Sequence, residues 1–87
     1  MHATGPDAIG NFYVKGEIMN NQKLLQNLKI TAHWFDSTNK LIGVTFAYAD
    51  KQSSLRFGDR STFSVLADGH NDLTSIPKSV ELSYDWR

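Results

Sequence analysis

The side chains able to do chemistry are few and scattered. Histidines stand at positions 2, 33 and 70, and Asp68-Gly69-His70-Asn71-Asp72 brings two carboxylates and an amide together. A zinc site needs several ligands converging on one point, each held by a second partner. His2 falls in a polar lead-in, His33 on the outward side of an expected strand and His70 in a loop, so solvated polar positions explain all three. The 68–72 run carries oxygen ligands that suit calcium but lacks the spacing and the bidentate Glu of an EF-hand loop. A polar turn with positive φ at Gly69 explains it more simply. Serine, histidine and aspartate all occur, yet there is no nucleophile elbow, glycine-rich phosphate loop or pair of carboxylates at catalytic spacing. These residues point to no enzyme, no cofactor and no metal.

Large apolar side chains offer more. Phe35 and Leu41 are expected to pair on the side of a hairpin away from the core, and Phe57 is expected to join them. Three such residues clustered outside would form a docking patch for a partner protein, or would be covered by the lead-in segment or by a neighbouring domain of the same chain. The alternative chemistry is that of a small ligand- or calcium-binding domain, which needs a cavity or a clustered oxygen site.

The element that must position these residues is the stretch Leu28–Asp50. Leu28, Ile30, Ala32 and Trp34 alternate with Lys29, Thr31 and His33, and Ile42, Val44, Phe46 and Tyr48 alternate with Gly43, Thr45 and Ala47. Period two is the pattern of half-buried strands. With residues 37–39 closing the turn, Trp34 faces Ile42, Ala32 faces Val44, Ile30 faces Phe46 and Leu28 faces Tyr48. One register then puts every large apolar side chain on one face. Asn39 falls where such a loop needs a left-handed residue.

Three further strands follow from the same alternation. Residues 11–19 place Phe12, Val14, Gly16 and Ile18 on one side, and Gly16 marks a bulge or a close backbone approach. Residues 61–67 turn Phe63, Val65 and Ala67 inward, and residues 79–86 turn Val80, Leu82, Tyr84 and Trp86 inward. Leu24 and Leu25 are expected to seal one end of the core. No window of helical length keeps a 3.6-residue apolar period, so no long helix is expected. Residues 1–10 read as a flexible lead-in and 11–87 as one domain. The alternation breaks off at the last residue, as expected of one domain of a longer protein. Five one-sided strands must stack or close. The expected architecture is an all-β antiparallel sandwich, with 26–36, 40–50 and 79–86 in one sheet and 11–19 with 61–67 in the other.

Composition removes whole classes of function. Basic and acidic residues number nine each and form no basic run, so nothing in the chain favours phosphate neutralisation on nucleic acid or an anionic membrane. Apolar runs are too short to span a bilayer. No cysteine is present, which removes disulfides and thiolate metal sites. A monomer or weak dimer is expected.

The residues also resemble a known family, the FxLYD domain. Val14-Lys15-Gly16-Glu17-Ile18-Met19-Asn20 is similar to that family's Val-x-Gly-x-Val-x-Asn strand. Ala32-His33-Trp34-Phe35-Asp36 stands in place of Phe-x-Leu-Tyr-Asp, with Asp36 identical and Trp34 and Phe35 similar in kind. Asn39 replaces a turn glycine. Leu55-Arg56-Phe57-Gly58-Asp59, followed by Phe63, is similar to a Leu-x-Pro-Gly-Glu turn and its inward Phe, with Phe57 where proline is usual. The resemblance covers about residues 12–67 and rests on structural motifs. It implies an immunoglobulin-like β-sandwich, exported and tethered to a bacterial or archaeal envelope, with no assigned catalytic residues.

Overall fold

A computed structural model describes residues 2–20, 27–50 and 56–85 of the chain. These form five strands and no helix: β1 (Asn11–Met19), β2 (Lys29–Phe35), β3 (Leu41–Tyr48), β4 (Arg60–Asp68) and β5 (Ser79–Asp85). Every pairing is antiparallel. β1 pairs with β4, and β2 lies between β3 and β5 in a second sheet. This is the expected grouping of strands. The apolar faces of both sheets meet in one core of Phe12, Val14, Phe63, Val65 and Ala67 on one side and Ile30, Ala32, Trp34, Ile42 and Val80 on the other.

Trp34 sits at the centre with none of its surface exposed. Its indole Nε1–H donates to Thr45 Oγ1 at 2.9 Å, so the ring is buried without an unsatisfied polar atom. In the other sheet Gly16 lies opposite Phe63. A Cβ on Gly16 would come within 2.7 Å of the Phe63 ring, so glycine lets that ring lie over the backbone. The β1–β4 register runs through without a bulge, and of the two roles expected for Gly16 it is the close approach that holds.

The β2–β3 hairpin closes as expected. Asp36 and Lys40 are joined by a backbone bond of 3.0 Å, and Asn39 takes a left-handed φ of 68°. Phe35 pairs with Leu41. The expected register fails at the next step. Trp34 faces Gly43 rather than Ile42, and from there His33 faces Val44, Ala32 faces Thr45, Thr31 faces Phe46 and Ile30 faces Ala47. A bulge at Ile42-Gly43 keeps Ile42 buried and reverses the sides of everything after it. Val44, Phe46 and Tyr48 therefore point outward, 51%, 55% and 45% exposed, and Gly43, Thr45, Ala47 and Ala49 point inward.

Space explains the reversal. A Cβ on Gly43 would overlap the Asp72 carbonyl oxygen and come within 2.7 Å of Leu73 Cδ2. The connection from β4 to β5 thus lies against β3 where only glycine fits, and Leu73 is buried there. Beyond it, small residues opposite the indole leave room for the ring, and Thr45 supplies its acceptor.

Single-residue bridges join the sheets at both seams. Ala3 N–H donates to Lys78 O and Thr4 exchanges two backbone bonds with Tyr13, so residues 2–4 link β5 to β1. Asp50 N–H donates to Thr62 O, linking the end of β3 to β4. The segment read as a lead-in is thus hydrogen-bonded to both sheets, and Ala3 packs on the core. Tyr84, expected inside, is 45% exposed, because it lies on an edge of the three-stranded sheet beyond the cover of a two-stranded partner. Gly69, expected at positive φ, lies outside the left-handed region. It is needed for size, since a Cβ there would come within 2.6 Å of Gly10 O. Leu24, Leu25 and Trp86, expected inside, lie outside the described residues.

Three substitutions test this packing by urea unfolding. Trp34→Ala is expected to cost about 3–5 kcal/mol. Thr45→Val leaves the indole N–H buried without an acceptor and should cost about 1–3 kcal/mol. Gly43→Ala should cost about 1–3 kcal/mol through overpacking. A Gly43→Ala chain as stable as the parent would contradict the bulge.

Candidate interaction surface

The outer face of the three-stranded sheet is graded across its strands. Leu41, Val44, Phe46 and Tyr48 line β3 and are all about half exposed. Lys29, Thr31, His33 and Phe35 run beside them on β2, followed by Ser79, Glu81, Ser83 and Asp85 on β5. The apolar side chains hold one another in place. The Phe46 and Tyr48 rings meet edge to face at 6.1 Å, and Lys29 Nζ lies 4.1 Å from the Phe46 centroid. The outer face of the other sheet mixes its residues instead. Lys15 covers Tyr13 at 4.9 Å, and Arg60 pairs with Glu17 at 3.3 Å.

Of the three patch residues expected from sequence, the structure joins two. Phe35 and Leu41 are cross-strand neighbours beside the hairpin turn, Phe35 half-buried and Leu41 exposed. Phe57 is 75% exposed but lies in a turn tied to Asn20 through Gly58 N–H, beyond the far end of β1. That end adjoins the Asp50–Thr62 bridge past Tyr48, so β3's length of about 25 Å separates Phe57 from the other two. Val44, Phe46 and Tyr48 fill the gap, and the expected register had placed them inside. Their signal was Gly43, since an isolated glycine within a strand marks a bulge as readily as Gly16 marked a close approach.

The 68–72 loop uses its carboxylates on itself. Asp68 accepts from His70 N–H at 2.8 Å and from Asn71 Nδ2 at 3.0 Å, while Asp72 Oδ2 accepts from Asp68 N–H at 2.8 Å. Among the described residues no three His, Cys, Asp or Glu side chains gather as a metal site. An open depression of about 730 Å³ is lined by Ala3, Thr38, Ile76, Pro77, Lys78 and Asp36, among others. There the Asp36 carboxylate is engaged by the hairpin, accepting from Thr38 N–H, Thr38 Oγ1 and Lys40 N–H at 2.6–3.0 Å. Ser83 Oγ and His33 Nε2 approach to 3.4 Å on the exposed sheet. Of these features, the apolar column on β3 is the one that a partner could bury.

No protein-family model, curated protein or solved structure matches the chain.

Two measurements test the carboxylate assignments. The Thr38 hydroxyl and the Lys40 N–H hold Asp36 below the ordinary aspartate range, and the His70 N–H with the Asn71 amide does the same for Asp68. Their stabilisation is complete above the unfolded-chain pKa of about 3.9 and is lost as pH falls through the lower folded values. Carboxyl NMR titrations should place both midpoints below those of unfolded peptides, and Asp36→Ala should flatten the acid limb of stability against pH. Calcium up to millimolar should leave the melting temperature unchanged, because the loop carboxylates already accept from backbone N–H groups and the Asn71 amide.

Proposed function

We propose that the chain is a non-catalytic, immunoglobulin-like β-sandwich module, similar to FxLYD domains, of an exported or envelope-tethered protein. Its work is protein–protein contact through the outer face of the β3-β2-β5 sheet. The observation that carries this reading is the run of Leu41, Val44, Phe46 and Tyr48 along one strand, outside the core and without a charged residue among them. The exposed parts of Phe46 and Tyr48 alone amount to about 200 Å², at roughly 200 Å² for an aromatic side chain. With Leu41 and Val44 added, the strip reaches the few hundred Å² at which exposed patches are often functional.

The family reading is supported by the Val14–Asn20 motif on β1 and by the two-sheet arrangement of antiparallel strands. The non-catalytic reading is supported by the setting of the His33–Ser83 pair, which approaches only to 3.4 Å on an exposed sheet face. The ligand-binding alternative draws on the open depression beside the hairpin turn, where the Asp36 carboxylate already has its donors.

The test combines stability with location. Val44→Thr with Tyr48→Thr keeps strand propensity and removes apolar surface. Because both residues face solvent, stability should stay within about 1 kcal/mol of the parent. Unfolding of this variant would make them core residues and end the surface reading. Protease added to intact cells should cut an epitope placed in the 68–72 loop of the native protein, and protection until lysis would overturn the exported assignment.

A further inference from the structure

The turn that leads into β1 presents one carbonyl to the 68–72 loop. Asp7 Oδ1 accepts from Ile9 N–H at 3.0 Å and from Asn11 N–H at 2.9 Å, and Gly10 N–H donates to Asp7 O. Gly10 takes a left-handed φ of 84°, and its oxygen accepts from Gly69 N–H at 3.1 Å. The His70 ring lies beside Gly10, since a Cβ there would meet His70 Nε2 at 3.4 Å. The 7–11 turn is thus docked on the loop at two points, next to the β1–β4 pair of Asn11 and Asp68.

That docking bears on a reactive bond. Asp68-Gly69 is the one Asp-Gly step in the chain. With no Cβ on the second residue, its backbone nitrogen lies open to the aspartyl side chain. The nitrogen loses its proton and bonds to Cγ, the protonated carboxyl releases water, and a five-membered imide forms. Water then adds back to either imide carbonyl. Addition at Cγ restores aspartate. Addition at the main-chain carbonyl breaks its bond to nitrogen and leaves isoaspartate, with the chain running through Cβ and Cγ. Water is the only other reactant, and the mass is unchanged.

The fold opposes each requirement. Gly69 N–H is engaged by Gly10 O, and the Asp68 carboxylate is held at both oxygens, by His70 N–H and by Asn71 Nδ2. The His70 N–H, with the Asn71 amide, also keeps that carboxyl below the ordinary aspartate range, so its protonated form is scarce at neutral pH. No bulkier residue can replace the glycine, because a Cβ would come within 2.6 Å of Gly10 O. The contact that demands the reactive step therefore also restrains it.

We propose that Asp68-Gly69 is a site of spontaneous aspartate-to-isoaspartate isomerisation, restrained in the native fold by the docked 7–11 turn. The reaction passes through a locally opened state in which the Gly69–Gly10 bond is broken, and its rate follows the population of that state. The step is self-reinforcing. Isoaspartate lengthens the backbone by one atom between residues 68 and 69, which moves Gly69 N–H off the Gly10 oxygen and prevents the turn from docking again.

The test holds the purified chain at neutral pH and reads the tryptic peptide 61–78 by electron-transfer fragmentation, which distinguishes the two isomers. Isoaspartate should accumulate at least about tenfold more slowly in the folded chain than in urea. Asp7→Ala removes the acceptor that closes the turn, so it should raise both the isomerisation rate and Gly69 amide exchange by about five- to tenfold. Exchange at Val65, within the β1–β4 ladder, should stay constant. Equal rates in the folded and unfolded chain would overturn the proposal. So would faster isomerisation without faster Gly69 exchange, or an equal rise at Val65, since the turn would then not be the restraint. Should Asp7→Ala fail to fold, the parent chain in urea below its unfolding transition decides: isomerisation and Gly69 exchange should rise together, ahead of Val65.

Discussion

The constraint on which this domain depends is the burial of one indole. Trp34 needs a hydrogen-bond acceptor deep inside a small protein, and it needs small neighbours across the sheet. Thr45 with the inward Gly43 and Ala47 of β3 meets both needs. They reach that side of the sheet only because a bulge at Ile42-Gly43 shifts the strand by one residue. The ring thus sets the register of the strand beside it. The same shift opens the gap at Gly43 into which the β4–β5 connection fits, so hairpin, bulge and connection form one packed unit.

The bulge has a cost on the other side of the strand. Moving the small residues inward turns Val44, Phe46 and Tyr48 outward, which gives up apolar burial that the unshifted register would have kept. At roughly 25 cal/mol per Å² the exposed halves of the two rings forgo several kcal/mol. A sheet with those residues inside would instead have to house Trp34 among three further large side chains, and a sandwich about 10 Å thick leaves no such room. Overpacking thus decides the register against total apolar area.

How far this was legible in the sequence follows from where alternation is interrupted. β1, β4 and β5 came directly from period two, because nothing breaks those patterns, whereas their division between two sheets followed from the need of one-sided strands to stack. The turn at 37–39 was equally plain, since Asp36 and Asn39 carry well-known loop chemistry. β3 misled because its larger residues keep the same period on the wrong parity. Only the volume of Trp34 and the presence of Gly43 argue otherwise, and both act through tertiary packing that a single strand does not display. Tyr84 failed for a different reason. Its parity is inward, but the unequal widths of the two sheets leave the edge uncovered, and widths follow from strand count rather than from any one strand. The candidate surface was legible only at its turn end, where Phe35 and Leu41 precede the bulge. Phe57 was assigned by its type, without a register to place it.

Nothing in the fold requires Val44, Phe46 and Tyr48 to be apolar. Many outward positions elsewhere in the chain are filled by polar residues of adequate strand propensity, such as Thr62 and Ser64 on β4 and Ser83 on β5, although Met19 and Leu66 are exposed there as well. Threonine at each of the three sites would keep the bulge, the buried indole and both seams. The chain instead keeps a valine and two aromatic rings there, and it adds Lys29 over one ring, where the ammonium shields part of the apolar surface. Stability accounts for the small residues inside β3 but does not account for the large ones outside. Those side chains gain apolar burial only when something else covers them, and that is the physical ground of the contact surface proposed for this column.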